Sequence, residues 1–227
     1  MTGARPVARE TQARARVSLG SSGDAIYGML ARALQARGIA GGSVVDVGCG
    51  RGQLWSALLK DFTSYCGVDA VRYDTFPPDL ELREADLDAA DWPIEPGIAD
   101  LVVAVETIEH LENPWAFVRG LVRIAKPGGW IAVTTPNQLS LLSLLALTVK
   151  RRFEQFQDHE FPAHKTALLE SDLRRLAAQS RLEEVAIEYT GRGRMPLSPW
   201  HFPAWLGRWN PRLFSDNLMM IGRKPRG

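Results

Sequence analysis

The chain has 227 residues, of which 45% are hydrophobic and 23% are charged. These proportions are typical of a globular protein and exclude a largely disordered or fibrous chain. The length is sufficient for a hydrophobic core without metal or disulfide cross-links. Two cysteines, Cys49 and Cys66, are too few for a disulfide framework, so we expect reduced thiols.

Charge is unevenly distributed along the chain. Residues 1–23 carry a net +3 and residues 190–227 a net +6, so the segment between them carries −8 of a total of +1. An acidic body with basic ends argues against nucleic acid as a partner.

Residues 1–23 lack the apolar run of a secretory signal, and we expect them to form a disordered basic tail. The longest apolar run, Leu139–Val149, is shorter than the ~20 residues that cross a bilayer, so we expect a cytoplasmic protein that at most contacts a membrane surface.

Strands and helices alternate through the first part of the chain. A helix is predicted from Asp24 to Gly38, where the glycine ends it. The elements predicted next are strands at Ser43–Val47, Ser64–Val68, Leu80–Glu84, Asp100–Val105 and Trp130–Thr134, and helices at Gln53–Lys60 and Pro114–Ile124. This alternation predicts an α/β protein with a parallel sheet covered on both faces.

The second part of the chain has a different pattern. Helices are predicted at Leu139–Lys150 and Glu170–Ser180, and strands at Leu182–Tyr189 and Asn217–Arg223. A segment rich in Pro, Trp and Arg, Gly191–Ser215, separates the last two strands. Because no linker divides the chain, we predict one domain over residues 24–227, with insertions at 138–168 and 190–216.

A glycine-rich turn and several acidic residues indicate a ligand site. Gly48, Gly50 and Gly52 connect the first strand to a helix, and glycines there allow a ligand to approach the backbone closely. Four acids lie at or near successive strand ends, where open α/β sheets bind ligands: Asp46, Asp69, Asp86 and Glu106. Asp69 at the second strand end is suited to both hydroxyls of a ribose. The G-x-G-x-G spacing departs from the pattern of dinucleotide-binding proteins, and the charge of Asp46 would repel a phosphate. Both observations favour a ligand with an amino group and a sulfonium, which is S-adenosylmethionine.

The segment Val44–Gly52 resembles the first motif of class I S-adenosylmethionine-dependent methyltransferases. Asp69, Ala85–Leu87, Asp100–Glu106, Lys126–Gly129 and Thr135–Asn137 are similar to later motifs of the family, and the resemblance covers residues 24–137. It implies a single Rossmann-like seven-stranded sheet of order 3-2-1-4-5-7-6, with the last strand antiparallel. It also implies a set of cofactor-binding residues: Asp46, Gly48, Cys49, Gly50, Gly52, Asp69, Asp86, Leu87 and Glu106.

The segment Glu106–Pro114 is similar to the Glu-x-x-Glu-His segment of ubiquinone-type and other small-molecule O-methyltransferases. Glu106, Glu109 and His110 are candidate ligands of a divalent ion, as in the methyltransferases of small-RNA 3′ ends. Those enzymes have a second histidine where this chain has Asn113, so we do not favour a metal. His110 is our candidate catalytic residue, a general base for an acceptor hydroxyl.

The acceptor is expected beside the strand ends and the inserted segments. We predict O-methylation of a small-molecule, lipid-linked or saccharide acceptor, with His159, His164 and His201 as candidates for the acceptor pocket. Residues 139–152 and 191–215 combine apolar or aromatic residues with basic ones and could contact a membrane surface. Two alternatives remain open: a metal-assisted methyltransferase of RNA ends, and a catalytically silent nucleoside-binding scaffold.

Overall fold

The structure is a computed structural model that describes residues 7, 11–12, 15, 20–59, 61–89, 91–158, 161 and 163–227. Seven strands form one sheet of order β3-β2-β1-β4-β5-β7-β6, as predicted. The strands are β1 (Ser43–Val47), β2 (Ser64–Asp69), β3 (Glu81–Glu84), β4 (Ala99–Ala104), β5 (Ala125–Pro136), β6 (Glu183–Tyr189) and β7 (Asn217–Arg223). β7 runs antiparallel to both of its neighbours, β5 and β6, and all other neighbouring strands are parallel, which confirms the Rossmann-like fold.

Helices connect the strands and cover both faces of the sheet. They are α1 (Asp24–Ala36), a π-helix (Trp55–Leu59), a 3-10 helix (Ile108–His110), α2 (Pro114–Ile124), α3 (Leu141–Lys150), α4 (Glu170–Gln179) and α5 (Ala204–Trp209). Successive strand residues point to opposite faces, so Leu101 packs with α1 while Val102 packs with α2 and α4. Both faces are therefore apolar, as expected for a parallel sheet buried on two sides.

Two local elements differ from the sequence-based predictions. The helix predicted at Gln53–Lys60 contains the π-helix Trp55–Leu59. The strand predicted at Trp130–Thr134 begins earlier, at Ala125, because Ala125 already pairs with Ala99. Residues Lys126–Gly129 form an irregularity within β5, and regular pairing resumes at Trp130 with Leu101. The backbone NH of Gly128 donates to the carbonyl of Lys224 at 3.0 Å, which holds this irregular segment against the end of β7.

Most of residues 1–19 lie outside the described residues, so the prediction of a disordered tail over 1–23 remains a prediction there. The described positions contact the domain. The Tyr73 hydroxyl donates to the carbonyl of Ala15 at 2.5 Å, and the Thr11 hydroxyl donates to Asp86 at 3.3 Å. The backbone NH of Arg51 donates to the carbonyl of Gly20 at 3.1 Å. The chain entering α1 thus passes directly over the glycine-rich turn.

Candidate active site

A cavity of about 670 Å³ opens at the carboxyl ends of β1, β2 and β4. The sequence-predicted site residues that line it are Asp46, Gly48, Cys49, Gly50, Asp69, Asp86, Leu87, Glu106, Glu109 and His110. Gly52 is not among the lining residues. A Cβ at Gly52 would lie 2.9 Å from Pro77, so this glycine accommodates the packing of the 76–77 loop.

The glycine-rich turn brings two other segments against its backbone. Gly48 has φ +78°, and a Cβ there would lie 2.2 Å from Oγ1 of Thr107. Gly50 has φ +52°, and a Cβ there would lie 2.3 Å from the carbonyl oxygen of Gly20. Glycine supplies both the positive φ and the missing side chain at these two positions. The turn therefore keeps its backbone at the cavity between the segment after β4 and the segment before α1.

Asp69 is fixed at the carboxyl end of β2 by the glycine-rich turn. Its carboxylate accepts a hydrogen bond from the backbone NH of Gly50 at 2.8 Å and from that of Val71 at 3.3 Å. Burial raises the pKa of Asp69, and these backbone donors oppose the rise because they stabilise the ionised form. A carboxylate has about four acceptor positions, so two backbone donors leave Asp69 able to accept from a ligand.

Asp46 is a buried carboxyl near the end of β1. Tyr65 of β2 donates its hydroxyl proton to Asp46 at 2.9 Å. Burial raises the pKa of Asp46 to about 7; the hydrogen bond from Tyr65 opposes the rise and the nearby Asp69 adds to it. An aspartate in this environment titrates near neutral pH, and a cationic ligand in the cavity would stabilise its ionised form.

Glu106 follows β4 with a backbone φ of 49°, in the left-handed region that residues other than glycine rarely adopt. The hydroxyl of Thr134 donates to one carboxylate oxygen at 2.9 Å, and the side-chain amide of Asn217 donates to the other at 2.7 Å. The backbone NH of Glu106 donates to the same threonine hydroxyl at 2.9 Å. β5 and β7 thus fix the orientation of this acid at the cavity wall.

Glu109 and His110 lie on the 3-10 helix and are held by the segment after α3. The backbone NH groups of Lys165 and Thr166 donate to the carbonyl of Glu109 at 2.8 and 3.0 Å. Nδ1 of His110 lies 2.9 Å from the carbonyl oxygen of Ala163. The rings of His110 and His164 are in contact, with centroids 4.7 Å apart.

Glu109 is the least exposed of the cavity acids. The residue is 1% exposed, and its Oε2 atom has no hydrogen-bond partner among the described residues. Burial raises the pKa of Glu109 to about 8, and it raises the pKa of Glu106 well above its ordinary value, with the Glu109 charge adding to the rise. An unsatisfied buried oxygen costs folding free energy and is a natural contact for a donor or cation on a ligand.

The structure changes the candidate metal set. Glu109, His110 and His164 can each bring one ligand atom within 4.8 Å of the others, whereas Glu106 is not part of this group among the described residues. Glu106 is instead held by Thr134 and Asn217. Asn113, where the RNA-end enzymes have a second histidine, caps α2 by accepting from the backbone NH of Ala116 at 2.9 Å.

Several residues that build the site are not among those predicted from the sequence. Tyr65, Thr134 and Asn217 hold the cavity acids, and Arg192 and Arg194 line the cavity. Of the three candidate pocket histidines, His164 and His201 line the cavity and His159 lies outside the described residues. The position of Tyr65 on the same face of the sheet as Asp46 was the one signal that strand periodicity offered.

Both cysteines are free and buried. Burial raises the pKa of the Cys49 thiol well above its ordinary value and that of Cys66 to about 11. The Cys49 sulfur lies 2.7 Å from the position that a Cβ on Gly67 would occupy, so it fills the space beside β2. Neither thiol is suited to act as a nucleophile, because the thiolate is the reactive form.

Comparison with known proteins identifies related sequences. The family model described as a methyltransferase domain matches residues 25–186. The ubiquinone biosynthesis O-methyltransferase of Thiobacillus denitrificans is 29% identical over 168 residues, which cover 70% of this chain and 72% of that protein. The protein of the same name from Methylococcus capsulatus is 34% identical over 117 residues, covering 48% of this chain and 49% of that protein. The chain spans about half the length of several of these curated relatives.

Solved structures share the fold at low sequence identity. A methyltransferase of Haloferax volcanii, in complex with the Trm112 methyltransferase activator, superposes with a TM-score of 0.67 at 20% identity, covering 97% of this chain and 98% of that one. A SAM-dependent methyltransferase of Archaeoglobus fulgidus superposes with a TM-score of 0.60 at 18% identity, covering 91% of this chain and 96% of that one.

Proposed function

Because this chain belongs to the S-adenosylmethionine-dependent methyltransferases, we propose that it transfers a methyl group to a hydroxyl oxygen of a small-molecule, lipid-linked or saccharide acceptor. The observation that carries the proposal is the cavity at the strand ends, which joins buried acids to a histidine. The relatives named as O-methyltransferases support oxygen as the acceptor atom.

The cavity residues fit the cofactor chemically. S-adenosylmethionine supplies a methyl group on a positively charged sulfur, together with an amino group and an adenosine. The buried carboxyl of Asp46 and the partly buried carboxyl of Glu106 suit the cationic methionine end, and the turn of Gly48, Cys49 and Gly50 leaves its backbone accessible beside them.

The adenosine would occupy the part of the cavity lined by β2 and β3. Asp69, with two backbone donors already in place, is suited to accept from the ribose hydroxyls. Asp86 would accept from the adenine amino group, and the buried Leu87 would lie against the ring. The described N-terminal residue Thr11 already donates to Asp86, so the segment before α1 would lie over the bound nucleoside.

His110 is proposed as the base that takes the acceptor proton. A carbonyl oxygen only accepts hydrogen bonds, so from the contact between Nδ1 of His110 and the Ala163 carbonyl we infer that Nδ1 carries the ring proton. Nε2 is then the unprotonated ring nitrogen. S-adenosylmethionine, held by the cavity acids and the glycine-rich turn, would supply the methyl group from its positively charged sulfur to the acceptor oxygen, and Nε2 of His110 would take the proton that the acceptor hydroxyl loses.

The inserted segments would form the acceptor side. Residues 163–166 hold the 3-10 helix of Glu109 and His110, and Arg192, Arg194 and His201 line the same cavity. We therefore assign the segments 138–168 and 190–216 to the acceptor, within a domain over residues 24–227. Positioning the acceptor there and excluding water would be their main contribution to the rate.

Contact with a membrane surface is proposed for residues 139–152 and 191–215. Among the described residues, no helix is both long enough and apolar enough to cross a membrane. Several large apolar side chains are nevertheless exposed in these segments: Leu145, Leu147, Val149, Leu197, Trp200, Trp205 and Trp209. Lys150, Arg151, Arg152 and Arg208 lie close to them in sequence, a combination that suits the interface of an anionic membrane.

Metal-assisted transfer to RNA ends is the second candidate function. It is favoured by one observation, the convergence of Glu109, His110 and His164 at the cavity. Two imidazoles and one carboxylate are ligands that suit Mn²⁺ or Zn²⁺. In this case His110 would bind the metal rather than accept the proton.

The test follows release of the demethylated cofactor with a panel of hydroxyl acceptors and with RNA. We expect His110→Ala and His110→Asn to lower turnover by about 10²–10⁴-fold while cofactor affinity is kept. The side-chain amide of His110→Asn retains a donor at the Nδ1 position for the Ala163 carbonyl, so wild-type turnover in this variant would show that His110 has only a structural role. Wild-type turnover in the presence of a chelator would support His110 as the general base. Loss of turnover in the chelator, with recovery on RNA when Mn²⁺ is added, would overturn this role in favour of the second candidate function.

A further inference from the structure

A short hairpin in the acceptor-side segment carries basic side chains that line the cavity and take no part in the methyl transfer itself. Arg194 and His201 form an antiparallel bridge. The backbone NH of Met195 donates to the carbonyl of Trp200 at 2.8 Å, and that of Phe202 donates to the carbonyl of Gly193 at 2.9 Å. Residues 192–202, which we call the basic hairpin, therefore form a defined element within the insertion.

The basic hairpin is anchored to the domain at its base. The Arg194 backbone NH and Nε both donate to the Asp216 carboxylate at 3.0 Å, just before β7. Gly193 is buried, and a Cβ there would lie 2.8 Å from the carbonyl oxygen of Phe214. The rings of Phe202 and Phe214 meet edge to face at 4.9 Å. These contacts fix the hairpin so that Arg192, Arg194 and His201 line the cavity.

The charges of the hairpin are only partly compensated. Arg194 forms an ion pair with Asp216, whereas Arg192 forms no ion pair among the described residues. A guanidinium nitrogen of Arg192 lies 3.4 Å from Nδ1 of His201. The cavity thus has acidic side chains at the strand ends and a cationic guanidinium at the hairpin. An acceptor that lies across it would place its hydroxyl near the acids and His110 and its far end near Arg192.

From this separation of charge we propose that the acceptor carries an anionic group, a phosphate or a carboxylate, which Arg192 binds with support from the basic hairpin. Guanidinium matches the paired oxygens of both groups and can bind them with two hydrogen bonds. The inference rests on the proposed function for the position of the acceptor hydroxyl. The phosphate of a lipid headgroup and that of a free aromatic molecule present the same chemistry to Arg192.

The test uses four probes on the protein saturated with demethylated cofactor: phenyl phosphate, benzoate, phenol and water-soluble dihexanoyl phosphatidate. Calorimetric titration should show at least one anionic probe binding tenfold or more tightly than phenol at low salt, and more weakly at high salt. Arg192→Gln should weaken that binding about tenfold and Arg192→Lys should restore part of it. Arg119→Gln on α2, an exposed arginine that does not line this cavity, is the matched control and should bind like the wild type.

Equal binding of phenol and the anionic probes, or unchanged anion binding in Arg192→Gln, would overturn the proposal. Tighter binding of phosphatidate than of phenyl phosphate or benzoate would assign the anion to a lipid headgroup, and the reverse to a free aromatic acid or phosphate. Failure of the proposed function can be distinguished from failure of the anion-site proposal. Arg192-dependent anion binding without O-methyl transfer to any acceptor would leave the anion site standing and refute the methyl-transfer assignment.

Discussion

Asp46→Asn tests whether the buried carboxyl of β1 holds the cationic end of the cofactor. Burial raises the pKa of Asp46 to about 7. A cationic ligand binds the ionised form, so binding releases the Asp46 proton when the pH lies below this value. One group with a pKa near 7 predicts that cofactor affinity is about tenfold weaker at pH 6 than at pH 8. At pH 8 the substitution should cost about 1.5–3 kcal/mol, the range for a hydrogen bond to a charged group.

The assay is calorimetric titration with demethylated cofactor at both pH values, in buffers of different ionisation enthalpy so that released protons are counted. Asp46→Asn should lose the Asp46 contribution to the pH dependence, and the ionisation of the ligand itself cancels in the comparison with wild type. Tyr65→Phe removes the donor that stabilises ionised Asp46, so affinity should begin to fall at a higher pH. Identical pH dependence in wild type and Asp46→Asn would refute the reasoning.

Two further predictions concern stability and surface binding. Burial raises the pKa of Glu109 to about 8 from 4.5, so the folded protein retains a proton that the unfolded chain releases and stability falls as pH rises between these values. Glu109→Gln should flatten this decline and raise the free energy of unfolding at pH 7 by an amount on the order of 3 kcal/mol. Thermal unfolding of both proteins across pH measures this difference. A variant whose stability follows the wild-type pH curve would contradict the prediction. Wild-type protein should sediment with anionic vesicles at low salt, and Leu197→Asp with Trp200→Asp should reduce this binding because both side chains are exposed. No sedimentation of the wild type would remove the membrane proposal.

The strands and helices could be predicted because their sequence signals are local, whereas the order of the seven strands was implied by the resemblance to the methyltransferase family. Apolar strands, the glycine-rich turn and the start of α2 at Pro114 each occupy a few consecutive residues. The acids at strand ends were also predictable, since parallel strands bring their carboxyl ends to one edge. The early start of β5 was missed because the pairing of Ala125 with Ala99 is a tertiary contact that composition does not reveal.

The contacts that orient the side chains of the site could not be predicted from local sequence signals. Asn217 donates to Glu106 across 111 positions in sequence, and Ala163 meets His110 across 53. The candidate metal group contains His164 and not Glu106, and this too could not be predicted because His164 reaches the group through a long-range contact. Glu106, Glu109 and His110 were grouped as candidate metal ligands because they are close in sequence, whereas Glu106 has a positive φ and lies outside the 3-10 helix that carries the other two.

The central claim is that the cavity at the carboxyl ends of β1 and β2 binds S-adenosylmethionine through Asp69 and the glycine-rich turn. Calorimetric titration of wild type and Asp69→Ala with the demethylated cofactor tests it most directly. We predict one binding site in the wild type and an affinity lower by ~1–3 kcal/mol in Asp69→Ala, from the loss of charge-assisted hydrogen bonds. Absence of binding heat in the wild type, or equal affinity in the two proteins, would contradict the claim.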